Sequence, residues 1–212
     1  KEDLMAYAED TTGRREYSIK FKDLNTGQTY KNTLSNSSGD MAWSSDGRYL
    51  FYVLRDQETL LPFKLFRHEI GSSQSEDVLV YEEKDPTFYL SVGNSRSMQY
   101  IEINISSTTS SEVRLINSDT PEESPYIFLK READHLYSIE HDPEDNRFLV
   151  ETNWLAKNFR LMAIDLKKSA DKNEWIELIP HREDTLLQSA LAFPYHLVIM
   201  ERENGLRQLK II

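Results

Sequence analysis

Nucleophiles, general bases and metal ligands act only at workable spacings, and this sequence offers few of them. The five histidines are His68, His135, His141, His181 and His196. His135 and His141 share the parity of one strand face, but six residues of extended chain hold them roughly 20 Å apart, beyond reach of a common ion. His68-Glu69 has no second histidine at helical spacing. The chain contains no cysteine, which excludes disulfides, thiolate nucleophiles and cysteine-ligated zinc. Glycines stand at positions 13, 27, 39, 47, 71, 93 and 205, and no two are close enough for a serine nucleophile elbow, a phosphate loop or a dinucleotide fingerprint. No catalytic residue, metal site or cofactor is therefore assigned.

The remaining polar residues carry little diagnostic weight. With 36 acidic residues, a glycosidase-like pair ~5 to 9 Å apart can always be imagined. Asp10-Thr11-Thr12-Gly13 resembles an aspartic-protease motif with one residue too many, and reads as a turn before the strand at Tyr17. The serines at 72–73 and those within 106–111 sit in polar, turn-like stretches. Three tryptophans and 11 tyrosines fit packing between strand layers better than sugar stacking, and Trp43 is expected to pack against an adjoining sheet.

The elements that would position any site are short strands. Residues 48–54 and 195–200 are apolar on both alternating faces, as in strands buried between two layers. Tyr17, Ile19 and Phe21 alternate with Ser18, Lys20 and Lys22, giving a strand with one wet side. Asp46-Gly47 and Asn204-Gly205 supply the positive φ of tight hairpins, and Asn25-Thr26-Gly27 does so in a longer loop. Strands beginning near Leu4, Tyr49, Gln99, Arg147 and Tyr195 recur roughly every 45 to 50 residues, a propeller-blade period with about four strands per interval. The expected fold is all-β, a β-propeller of four-stranded antiparallel blades forming part of a ring. The expected divisions are an incomplete blade over 1–39, blades over about 40–83, 84–131 and 132–183, and an incomplete blade over 184–212. A β-sandwich is the alternative, and the regular period weighs against it.

Composition narrows the partners. The 212 residues carry a formal charge of -11, which disfavours nucleic acid and suits either cationic ligands or simple solubility. No apolar run approaches the ~18 residues of a membrane helix, so no membrane partner is expected. The absence of cysteine and of a leader-like start fits a cytoplasmic protein, and the sequons at Asn36 and Asn104 are short enough to arise by chance.

Collinear segments then carry a resemblance: Gly13-Arg14-Arg15-Glu16-Tyr17, Phe21-Lys22-Asp23-Leu24, residues 77–83 (DVLVYEE), Glu151-Thr152-Asn153, residues 156–161 (AKNFRL) and Ile179-Pro180-His181-Arg182. From about Leu4 onward the chain resembles the oligopeptidase B (protease II) branch of the prolyl oligopeptidase family of serine peptidases. The resemblance implies a seven-bladed parent propeller, of which about four blades are represented here. It also implies an α/β-hydrolase domain elsewhere in the polypeptide, bearing the Ser, Asp and His, and hydrolysis of short peptides after Arg or Lys. The propeller would restrict access to the active site. None of the triad maps onto this chain. By the same resemblance, Ser38, Gly39 and Asp40, before the Met41-Ala42-Trp43 strand, are expected near the substrate gate or the contact with the catalytic domain.

Three functions follow from different classes: the gating domain of a basic-residue oligopeptidase, an independent propeller that binds peptide or protein, and a propeller glycosidase. The expected partners are peptides with basic residues and the hydrolase domain of the same polypeptide. Self-association through uncovered strand edges is expected of the isolated piece.

Overall fold

The computed structural model describes residues 3–212 and is all-β, with seventeen strands in four antiparallel sheets and three short 3₁₀ turns. Sheet I contains β1 (Leu4–Glu9), β2 (Tyr17–Asp23), β3 (Thr29–Trp43), β4 (Tyr49–Arg55), β5 (Pro62–Glu69) and β6 (Val78–Glu82), in sequential order. Sheet II contains β7 (Tyr89–Asn94), β8 (Tyr100–Ser106), β9 (Ser111–Asn117) and β10 (Tyr126–Leu129). Sheet III contains β11 (Tyr137–Asp142), β12 (Arg147–Thr152), β13 (Arg160–Ile164) and β14 (Ile176–Ile179). Sheet IV contains β15 (Thr185–Phe193), β16 (His196–Glu203) and β17 (Leu206–Ile211).

The chain divides into two compact units. Unit 1 comprises the described residues up to Asn94 with Met98–Ile105 and Leu115–Tyr126; unit 2 comprises Ser95–Ser97, Ser106–Arg114 and Ile127–Ile212. No helix among the described residues is long and apolar enough to cross a membrane.

The turns explain the consecutive pairing. Gly47 has φ +71°, and Asn204 and Gly205 have φ +49° and +79°, the left-handed pair that a two-residue hairpin requires. At the third turn the Asp23 carboxylate accepts hydrogen bonds from the Asn25 and Thr26 amides, while Gly27 is left-handed. Asp10 likewise binds the Thr12, Gly13 and Arg15 amides, so this segment is a turn. These bonds to the ionised form lower its carboxyl pKa.

In unit 1, Ile19 and Phe21 are buried with Leu34, Leu50 and Tyr52. Trp43 meets Phe21 edge to face, with ring centroids 6.3 Å apart. The opposite face of β4 joins Phe51 and Val53 to Leu65, Leu90, Ile101 and Ile103. Both faces of β4 are thus apolar and covered, as the run over 48–54 requires.

In unit 2, Leu149, Leu161 and Ala163 of sheet III pack with Leu187, Ala190 and Ile199 of sheet IV. β16 differs from its expected two-sided burial: Ile199 is fully buried, whereas Val198 and Met200, on the alternate face, are only half-buried. Hydrophobicity on both faces identified the strand, but the sheet III–IV core takes in Leu197 and Ile199 and not Val198 or Met200.

This distribution sets the cost of truncations. Ile103→Ala should destabilise unit 1 by about 2–5 kcal/mol, because a fully buried side chain leaves a cavity. Tyr195→Ala, at a residue 96% exposed, should change stability by no more than ~0.5 kcal/mol in the same urea titrations.

Candidate functional site

The expected gate residues occupy an interruption in β3. Its first part pairs with β2, as in Ile19↔Leu34 and Lys20↔Thr33, and its last part pairs with β4 through Met41↔Tyr52, Ala42↔Phe51 and Trp43↔Leu50. The register shifts between Ser37 and Met41, and Ser38, Gly39 and Asp40 fall inside that shift. Two sequence features produce the local shape. Gly39 takes φ +96°, and a Cβ there would lie 3.3 Å from the Tyr17 ring. The neighbouring side chains replace the lost ladder bonds: Gly39 N donates to Ser37 Oγ at 3.0 Å, Asp40 N to Ser38 Oγ at 3.2 Å, and Ser38 Oγ to Asp40 Oδ2 at 3.0 Å.

Asp40 is half-buried, and among the described residues no cation is paired with it. Ser37, at the start of the interruption, also lines a cavity of about 310 Å³ with Glu16, Asn36, Arg55, Asp56 and Leu60. Arg55 braces this cavity by donating to the carbonyls of Arg15 and Leu60, two residues held at φ +61°. Asn36 has φ +58°. Such backbone costs about 1–3 kcal/mol per residue where a side chain must be left-handed, so the surrounding contacts have to hold it. A polar, acid-bearing rim of this kind can bind or orient a cationic group. It offers no nucleophile paired with a base.

The other polar clusters hold the fold. His68 Nδ1 lies 2.7 Å from Asp77 Oδ1, and Tyr52 donates to Asp77 Oδ2 at 2.8 Å, all deep in sheet I. Burial and the Asp77 carboxylate raise the Tyr52 phenol well above its ordinary pKa. Gln74 links this cluster to β3 by exchanging hydrogen bonds with the Ser35 backbone. In unit 2, His135 contacts Thr152 Oγ1 at 2.8 Å and His141 contacts Ser97 Oγ at 2.8 Å. The two histidines thus have separate partners. The His141–Ser97 contact joins residues 44 apart, so no sequence spacing announced it. Burial lowers the pKa of both histidines. His181 faces Glu183, and His196 stacks on Phe193. Among the described residues, no group of three or more His, Cys, Asp or Glu is arranged to hold a metal ion.

The sequence matches the family described as "Prolyl oligopeptidase, N-terminal beta-propeller domain" over residues 1–212. It is 39% identical to a dipeptidyl aminopeptidase BI from Pseudoxanthomonas mexicana, covering 99% of this chain and 28% of that protein. It is 35% identical to a protease 2 from Moraxella lacunata, covering 98% of this chain and 30% of that protein. Among solved structures, oligopeptidase B from Leishmania major superposes with a TM-score of 0.93 at 29% identity, covering 100% of this chain and 29% of that one. The chain spans less than a third of the length of these relatives.

The interruption in β3 should depend on its glycine. Gly39→Ala is expected to destabilise the protein by about 1–3 kcal/mol, through left-handed strain and the approach to Tyr17. At Gly93 the φ is not left-handed, and nothing lies within 4 Å of the place a Cβ would take. Gly93→Ala should therefore be neutral or stabilising by up to ~1 kcal/mol. Urea unfolding of the two variants makes the comparison.

Proposed function

Because the chain belongs to the prolyl oligopeptidase family, as its N-terminal β-propeller domain, we propose that it is the non-catalytic, substrate-gating part of a serine oligopeptidase that hydrolyses short peptides after Arg or Lys. The observation that carries this reading is the match along the whole chain to relatives more than three times as long, one of them a protease 2. The parent polypeptide would add further propeller strands and an α/β-hydrolase domain. In that domain a serine would attack the scissile carbonyl, a histidine would take and return the proton, and backbone donors would hold the oxyanion.

This chain would select by access. Peptides with little folded structure would reach the active site, and folded proteins would not. Blade divisions over 1–39, 40–83, 84–131, 132–183 and 184–212 accompany this proposal, with the first division falling at the Gly39 interruption. Ser38, Gly39 and Asp40 would then stand at the rim facing the catalytic domain. Asp40 is suited to a basic peptide or to an arginine of that domain, because no cation of the described chain already neutralises it. A cytoplasmic location and self-association of the isolated piece belong to the same reading; the exposed Leu206, Leu209 and Ile211 of β17 would supply the adhesive edge.

A second reading comes from the dipeptidyl aminopeptidase BI relative: a parent that releases dipeptides from free amino termini. Two peptides separate the readings in the full-length protein. Cleavage after Arg or Lys in an amino-terminally blocked peptide supports endopeptidase action; turnover only with a free amine supports dipeptide release. The 212-residue chain alone is expected to hydrolyse neither peptide.

The rim is tested by Asp40→Asn in the full-length enzyme. If Asp40 bridges to a basic group, kcat/KM for short basic peptides should fall by about 10- to 30-fold, more than an exposed pair worth ~0–1 kcal/mol would give. The open and closed populations seen by small-angle scattering should shift with it. Unchanged kinetics and an unchanged distribution would remove Asp40 from the mechanism.

A further inference from the structure

Unit 2 contains a half-buried carboxylate beside an apolar seam. Glu151 is on β12, between Ser138 of β11 and Leu161 of β13 in the sheet register. Strand alternation puts it on the face that carries Leu149, whose register partners are Glu140 and Ala163. That is the face that sheet IV covers, with Leu149, Leu161 and Ala163 packed against Leu187, Ala190 and Ile199. Glu151 lines a cavity of about 130 Å³ between these strands, with Ser189 and Leu191 of β15 on its far side.

The surroundings supply no counter-charge. From β11 the facing ionisable group is Glu140, already held by Arg96 with Nε 3.0 Å from Oε1. From β13 the register partner is Leu161; the adjacent Arg160 alternates to the other face, lies over the Trp154 ring and pairs with Glu177. The part of β15 at the cavity offers Ser189, Ala190 and Leu191, none of which ionises; on the same faces, Arg147 of β12 is already paired with Asp142 and Asp145, and Glu201 of β16 with Arg182 and Lys210. Burial alone pushes the Glu151 pKa up to about 7, and burial also raises that of Glu140.

We propose that Glu151 makes the seam between sheets III and IV a proton-controlled joint, shut while its carboxyl group is neutral and loosened when it ionises. Neutral, the side chain is a polar group small enough to remain within the apolar seam. Ionised, it is an unpaired charge that must be hydrated, and the cavity has room for only a few waters at ~30 Å³ each. Fuller hydration of the charge is gained by parting β15 from β12.

The sign is fixed by linkage. A carboxyl whose pKa is raised by folding stabilises the folded state fully below the unfolded value near 4.5, and that stability is lost as pH rises toward about 7. His135 and His141, lowered by burial, act oppositely and remove stability as pH falls. The alkaline limb therefore belongs to the raised carboxyl groups Glu151 and Glu140, while the acid limb is shared by the two histidines and by carboxylates that hydrogen bonds lower, such as Glu132. The inference stands apart from the peptidase reading, because its readout is the seam itself.

The test is amide hydrogen exchange of β15 in the intact protein, corrected for intrinsic base catalysis, at about pH 5 and about pH 8. The opening equilibrium of the Leu187 and Leu191 amides should rise at least about tenfold between the two pH values in the wild type, and by less than about twofold in Glu151→Gln. The same rise in both proteins would overturn the proposal. Should the variant fold poorly, carbon-detected titration of the Glu151 carboxyl group in the wild type decides the matter: a midpoint near 7 supports the joint, and a midpoint near the ordinary glutamate value of about 4.3 overturns it.

Discussion

One strand in sheet I has to satisfy two neighbours whose demands do not agree. β3 is 15 residues long; its first part is in register with β2 and its last part with β4. A β-ladder repeats every two residues, so a change of register is absorbed at discrete irregularities. Against β2 the register shifts between Thr29 and Thr33 and between Leu34 and Ser37, and against β4 the change is absorbed between Ser37 and Met41. Gly39 supplies the backbone conformation, Tyr17 closes over it, and two serine hydroxyls take up the amides left without a ladder. The same break leaves the Asp40 carboxylate at a position that no cation of the described chain occupies. The structural need to change register and the functional opportunity therefore arise from the same three residues.

The register change also requires both flanks to be rigid. On one side Ile19, Phe21 and Leu34 are buried together; on the other Leu50 and Tyr52 continue the same cluster, and Asp77 binds Tyr52 and His68 at its base. A buried carboxylate is destabilising unless its oxygens are hydrogen-bonded, and here both are engaged. Gln74 extends the cluster to the Ser35 backbone, tying the part of β3 before the break to the segment that follows β5.

How much of this was legible in the sequence depended on whether the signal was local. The turns at Asp46-Gly47 and Asn204-Gly205 were legible because positive φ is a property of one or two residues, and the strand over Tyr17 to Lys22 because burial follows its alternation. The all-β class followed from these signals and their period. The continuity of β3 between β2 and β4 was not legible: Ser-Asn-Ser-Ser-Gly-Asp has the composition of a loop, and only tertiary pairing makes it part of a strand. The proposed gate residues were reached through resemblance to a family, since the serines, glycine and aspartate have no diagnostic spacing. Glu151 is, in the sequence, one acid among 36. Its acidity depends on which face of β12 is covered and on the absence of a facing cation, and both are set by residues far away in the chain.

Sheet I and the seam in unit 2 solve the same electrostatic problem in opposite ways. Asp77 is buried more completely than Glu151, yet it has a histidine and a phenol within 2.8 Å, so both its oxygens are hydrogen-bonded inside the sheet. Glu151 has Leu149, Leu161 and Leu191 with two serines about it, and a glutamate that pairs with Arg96 rather than with it. Burial alone therefore does not decide whether an acidic group is a fixed structural element or a responsive one; the supply of donors does. A donor-rich site favours the ion and holds its surroundings together, whereas a donor-poor site favours the neutral acid and makes the packing around it conditional on the proton. In a domain whose proposed work is to admit some peptides and exclude others, the first arrangement suits the frame around β3, and the second suits a joint that can give.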